Sequence, residues 1–193
     1  MSVWFAKAVV LIAAIAMVVI RSPHGSRSWT IKVAESRKGP LEVFLLTVAS
    51  IGFFTPILWV ATPWLGYADF ALHPVPLIIG TALLAVSLWF FHRSHVDLGT
   101  NWSVTLELRE SHRLVTEGVY RRVRHPMYSA FLLYAIGQAI VIPNWAVGPS
   151  YLVTMALLVA LRLGPEEKLM RDRFKAEYDA YVSRTKRLIP GVW

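Results

Sequence analysis

The chain has 193 residues, of which 55% are apolar and only 17% charged, a balance that excludes an ordinary soluble domain and points to a protein built into a bilayer. Cysteine is absent, which excludes disulfides, thiolate metal sites and a cysteine nucleophile. The net charge of +8 would suggest nucleic acid in a soluble chain, but the basic residues gather in alternate loops, so here it reports membrane topology.

A helix needs roughly 17 to 25 apolar residues to cross a bilayer, and five stretches approach that length: residues 2–20, 43–65, 75–91, 127–142 and 145–161. The first holds Lys7, close enough to its end to snorkel to the interface. It lacks a small-residue cleavage site before the basic loop, so it reads as a span rather than a signal peptide. Pro56 and Pro63 in the second stretch, and Pro74 and Pro76 before the third, predict kinked or broken helix ends. Trp59, Trp64 and Trp89 suit an interfacial belt. After the third stretch Val104, Leu106 and Leu108 alternate with polar residues and Leu114-Val115 follow a polar turn, which predicts a small hairpin. Only Pro143-Asn144 separates stretches four and five, predicting a tight antiparallel pair that returns Tyr128 and Arg162 to one level. Gly164-Pro165 reads as a helix start. Beyond it Met170, Phe174, Tyr178, Tyr181 and Val182 fall at helical spacing, the pattern of an amphipathic helix lying on the membrane surface as an anchor or a lid.

The expected architecture is an all-α integral membrane protein of about five transmembrane helices, one domain, with residues 1–97 as anchor and 98–193 as catalytic region. Lys and Arg number five in the first loop (Arg21, Arg27, Lys32, Arg37, Lys38), none in the second, six from Arg93 to Arg124, none around Pro143-Asn144 and eight from Arg162 onward. The positive-inside rule then places the N-terminus outside, and the first and third loops and the C-terminus in the cytoplasm.

Glycine-rich nucleotide loops, a phosphate-loop lysine motif, His-Glu-x-x-His and Gly-x-Ser-x-Gly are all missing. His92 and His95 are spaced to share a helix face, but two ligands fall short of a metal site, and none is expected. Arg124-His125-Pro126-x-Tyr128 opens stretch four, and Arg162 with Glu166-Glu167 closes stretch five. Arginines at span ends usually serve as topological anchors. Glutamates at a helix start suit the macrodipole, and Glu167 can pair with Arg171 four residues on. Convergence of both groups at one mouth favours function, because guanidinium groups shielded from water hold a carboxylate bidentately.

The ordered set Leu114-Val115-Thr116-x-Gly118-x-Tyr120, Arg124-His125-Pro126-x-Tyr128, a short hairpin, Arg162, Glu166-Glu167 and Phe174-x-x-Glu177-Tyr178-x-x-Tyr181 resembles the isoprenylcysteine carboxyl methyltransferase family, its small prokaryotic branch in particular, over about residues 98 to 190. The resemblance implies S-adenosylmethionine as donor and the carboxylate of a C-terminal prenylated cysteine as acceptor, taken from the bilayer of a prokaryotic cytoplasmic membrane. It implies Arg124, Arg162 and Glu167 as catalytic residues. His112, Val115, Gly118, Tyr120, His125, Pro126, Tyr128 and Glu167 are the implied cofactor cradle. Phospholipid or amine N-methyltransferases and lipid double-bond reductases carry comparable C-terminal halves and stay open as alternatives, as does a non-catalytic membrane scaffold.

Overall fold

A computed structural model describes residues 1–28, 33–36, 39–101, 105, 107–109 and 113–192. Among the described residues six α-helices follow in chain order: α1 (Trp4–Ser28), α2 (Pro40–Ala61), α3 (Pro74–Leu98), α4 (Pro126–Val141), α5 (Ser150–Phe174) and α6 (Ala176–Arg184). α1, α2 and α3 are long and apolar enough to cross a membrane, while α4 is apolar but has 16 residues, about 24 Å of helix. Large apolar side chains such as Ile12, Ile51, Phe54, Ile78 and Val86 stand on the outside of the bundle. An exterior of this kind is stable against lipid and not against water, and the chain is an integral membrane protein.

Proline at the first turn of α2, α3 and α4 matches the place where its missing N–H costs nothing. Pro56 and Pro165 are instead carried inside α2 and α5. The expected helix start at Gly164-Pro165 is therefore corrected: α5 runs through it to Phe174, so Arg162, Glu166 and Glu167 share one rigid helix. The expected surface helix is split between the end of α5 and α6 at Lys175, a non-glycine residue with φ of 47°. Its apolar face is nonetheless where the spacing puts it, with Tyr178 and Tyr181 buried.

The small sheet also differs from expectation. Glu107–Arg109 forms a strand (β2), but its antiparallel partner is β1 (Val33–Ser36) from the first loop, while Leu114-Val115 form no strand; Val104 and Leu106 lie outside the described residues.

Two glycine contacts set the helix packing. α3 lies against α4 where Gly80 and Gly137 meet, and α2 lies against α5 where Gly52 faces Thr154. Close approach of small residues is the usual means of packing helices in lipid. A Cβ on Gly80 would fall 2.4 Å from Val141 Cγ2 and 2.8 Å from the Gly137 carbonyl oxygen. Gly80→Ala is expected to force the pair apart at a cost of about 1–3 kcal/mol, read as a lower thermal midpoint of the detergent-solubilised protein.

The α4–α5 connection is longer than the expected two residues, running from Ile142 to Pro149. Asn144 organises it. Its Oδ1 accepts the amides of Ala146 and Val147, and its Nδ2 donates to Asp69 and to the Leu65 carbonyl. Trp59 donates to the same Asp69 oxygen at 2.8 Å and is 1% exposed, so it is a structural strut, whereas Trp64 and Trp89 face outward. Lys7 lies over the Trp4 and Trp59 rings and donates to the Val60 carbonyl. These contacts tie off one end of the bundle and leave the chemistry to the other.

Candidate active site

The turn at Gly118–Arg121, the start of α4 and the C-terminal segment build one wall of the site from sequence neighbours outward. Gly118, at φ 59°, begins a single tight turn over Gly118–Arg121 and leaves room for Asp97, which accepts the Val119 amide; a Cβ there would lie 2.1 Å from the Asp97 carboxylate. The turn buries Tyr120, whose carbonyl accepts the Tyr181 hydroxyl at 2.7 Å. His125 then caps α4, and its carbonyl accepts the Ser129 amide. The C-terminal strand of chain runs beside this turn: the Arg124 and His125 amides donate to the Lys186 and Arg187 carbonyls, and Ser129 donates to Leu188.

The two polar groups recognised in the sequence meet. Glu167 accepts from Arg124 Nε at 3.0 Å and from Arg187 Nη2 at 2.8 Å, and lies 3.4 Å from His125 Nε2. Arg124 also donates to the Thr185 carbonyl at 2.6 Å. Glu166 accepts the Tyr128 hydroxyl and lies 3.6 Å from His125 Nδ1 and 3.8 Å from Arg162 Nε. The Glu167 to Arg171 pairing expected from spacing is not the one formed: Arg171 bonds Asp179 at 2.8 Å. Burial works against charge on His125, but hydrogen bonds to Glu166 and Glu167 and their charges outweigh it and raise its pKa. Burial likewise opposes ionisation of both glutamates, yet their pairing with His125, helped by the arginines, brings each down to about 2.

A cavity of about 600 Å³ opens beside this cluster. Arg124, His125, Tyr128, Arg162 and Glu166 line its polar pole, with Arg21 from α1, and Val115, Tyr120, Pro126, Tyr178 and Tyr181 form the neighbouring wall. Much of the remaining lining is apolar and includes Leu46, Ala49, Phe53 and Met155, with Val18 and Phe54, whose side chains are exposed on the outside of the bundle. Val18 of α1 and Phe54 of α2 thus bring this lining to the outside of the bundle. Of the residues singled out in the sequence, Glu167 sits behind the cavity wall rather than on it, Gly118 acts on the Tyr120 turn, and His112 lies outside the described residues. His92 and His95, one turn apart on α3, differ in surroundings: His95 is buried and its ring meets His24 of α1 at 4.7 Å, while His92 is exposed.

Sequence reasoning missed Glu42, Arg21 and Arg187. Glu42 is 5% exposed in the first turn of α2 and sits 3.2 Å from Arg162. A carboxylate at the very edge of an apolar run was the available signal, since the predicted span began one residue later.

The family model described as the isoprenylcysteine carboxyl methyltransferase family matches residues 77–172. The chain is 30% identical over 116 residues to protein-S-isoprenylcysteine O-methyltransferase B of Arabidopsis thaliana, covering 60% of this chain and 56% of that one. It is 33% identical over 96 residues to the Homo sapiens protein-S-isoprenylcysteine O-methyltransferase, covering 49% of this chain and 34% of that one. It therefore spans little more than half the length of the first relative and about a third of the second. A solved structure of the eukaryotic intramembrane Ras methyltransferase superposes over 92% of this chain and 60% of its own, with a TM-score of 0.55 and 22% identity, a likeness of fold.

Proposed function

This chain belongs to the isoprenylcysteine carboxyl methyltransferase family, and on that premise we propose that it transfers a methyl group from S-adenosylmethionine to the carboxylate of a prenylated cysteine drawn from the bilayer. The observation that carries the proposal is the lining of the cavity: apolar side chains reach the outside of the bundle at Val18 and Phe54, and the same cavity is lined by Arg124, His125, Arg162 and Glu166. An acceptor with a long hydrocarbon tail and an anionic head fits that lining. A water-soluble methyl donor alone would have no use for its apolar part.

The residues present also suit a nucleoside donor. Tyr178, 1% exposed, lines the cavity, and its hydroxyl has no hydrogen-bond partner among the described residues, so a polar group of a ligand would satisfy it. Val115, Tyr120, Pro126 and Tyr178 offer apolar and aromatic surface for the base and the sulfonium region. His125 and Glu166 offer polar partners, with Glu167 and Arg124 holding that wall in place. When bound, the donor supplies an electrophilic methyl group on a positively charged sulfur.

A carboxyl terminus has a reference pKa of about 3.5 and is already ionised at neutral pH, so the chain needs no general base. Arg162 is assigned to orient the acceptor carboxylate with its planar fork. Exclusion of water and alignment carry the rate, worth on the order of 7–11 kcal/mol in the best-oriented model reactions. The polar pole belongs on the cytoplasmic side of five crossings, where the donor is available.

Calorimetric titration with S-adenosylhomocysteine, followed by methyl transfer to farnesylated cysteine and to the same compound with its carboxyl blocked as an amide, tests the reading. Micromolar binding and transfer only to the free carboxylate are expected. Methylation of an amine-bearing lipid in its place, or binding of a nicotinamide cofactor with no response to S-adenosylhomocysteine, would overturn it.

A further inference from the structure

Arg162 meets the cavity with a carboxylate at its back. Glu42 lies 3.2 Å from Arg162 Nη2, and the two side chains are 5% and 8% exposed respectively. Glu166 is the more distant carboxylate, at 3.8 Å from Nε, and it is shared with His125 and Tyr128. Arg162 lines the cavity and Glu42 does not, so Glu42 stands behind the guanidinium and out of reach of an acceptor. A first-turn glutamate suits the helix dipole equally well when exposed. Burying one at the edge of a membrane span is expensive and calls for a specific partner. Glu42 also lies outside residues 77–172, the part of the chain matched by the family model.

We propose that Glu42 is a positioning residue that fixes Arg162 toward the acceptor and offsets part of its charge, so that the acceptor carboxylate is oriented without losing its nucleophilicity. The inference rests on the carboxyl methyltransferase reading above. In that reaction a lone pair on the carboxylate oxygen forms the O–CH₃ bond while the CH₃–S⁺ bond breaks and leaves its electron pair on sulfur. A methyl ester and a neutral thioether result, and no proton moves. Negative charge on the nucleophile therefore shrinks on the way to the transition state, and a cation beside it stabilises the ground state more than the transition state. An uncompensated guanidinium would bind the acceptor tightly and slow its reaction. Backed by Glu42, Arg162 keeps its fork geometry while its field at the nucleophile is reduced.

The test is steady-state methyl transfer to farnesylated cysteine by wild type, Glu42→Gln and Glu42→Asp in detergent. Glu42→Gln is expected to lower both kcat and the acceptor KM, each by about tenfold, the scale of one unit charge several ångström away inside a protein, with affinity for S-adenosylhomocysteine unchanged. Glu42→Asp, which keeps the charge, is expected to return both parameters toward wild type. A merely structural role would raise KM or abolish cofactor binding. That result overturns the inference, as do unchanged kcat and KM in Glu42→Gln or an aspartate variant that behaves like glutamine. A wild-type protein that methylates no carboxylate overturns the proposed function, and this inference with it.

Discussion

Replacing Glu167 with alanine is expected to destabilise the protein by about 3–5 kcal/mol, the cost of leaving buried charge unpaired, and to abolish measurable binding of S-adenosylhomocysteine. The carboxylate joins Arg124, His125 and Arg187, which come from the α4 entry and the C-terminal segment. Without it two buried cationic groups, Arg124 and His125, and the half-exposed Arg187 are left facing each other, and the wall that carries His125 and Tyr120 keeps only Glu166 as its ionic tie to α5. Glu167→Gln keeps an acceptor for Arg124 and should fall between the two. The pH dependence has a definite sign. Glu167, held down to about 2, contributes stability that is complete above its unfolded value of about 4.3 and is lost as pH falls through the folded one. His125, raised above its ordinary value, contributes stability that is complete below about 6.5 and is lost as pH rises through the raised value. Removing Glu167 takes away one of the two carboxylates that raise His125. The difference in thermal midpoint between variant and wild type is therefore expected to narrow from about pH 5 to about pH 8. A difference that widens over that range would show that His125 is not coupled to Glu167.

Elements fixed by runs of like residues were legible in the sequence. The apolar stretches locate the helices within a few residues, and proline at their first turns marks three of the starts. The convergence of Arg124, His125 and Tyr128 with Arg162 and Glu166-Glu167 follows from one step, the return of a short helical pair to its own level. What escaped was pairing between distant parts of the chain. Spacing proposed Arg171 for Glu167, yet a buried carboxylate takes the partners that tertiary packing brings within reach, and those were Arg124 and Arg187. Glu42 and Arg21 each stand alone at the end of an apolar run, where an anchoring role predicts the same residue. Only the packing of α2 on α5 and of α1 on α3 distinguishes the two. Pro165 reads as a helix start because proline suits the first turn, where its missing N–H costs nothing. Within a packed bundle the freed carbonyl can be satisfied by its surroundings, and α5 passes through.

That packing changes how the chain divides. Residues 1–97 were expected to act as an anchor, but Arg21 lines the cavity, Glu42 backs Arg162, and Phe53 and Phe54 form the wall on the lipid side. We propose that the first two helices belong to the acceptor site, and that the region matched by the family model supplies the donor wall and the turning charges.

Arg162→Ala is expected to cut kcat/KM for a prenylated cysteine by about 10²–10³, the usual loss when one preorganised donor is removed from an active site, while S-adenosylhomocysteine binds as in wild type. Lysine should recover little. Its single ammonium can meet one carboxylate, whereas Arg162 presents Nη2 to Glu42 and Nε to Glu166 and still has to hold the acceptor. Alanine also leaves the buried Glu42 and the half-buried Glu166 without their shared cation, so a fall in activity alone would not separate chemistry from folding. The double variant Arg162→Met with Glu42→Gln removes a cation and an anion together, a change that buried ion pairs often tolerate. It is expected to keep the wild-type thermal midpoint and cofactor affinity and to remain inactive toward the carboxylate. Recovery of turnover in that variant would mean that Arg162 serves only to neutralise Glu42, and the acceptor carboxylate would have to be held by Arg21 or Arg124.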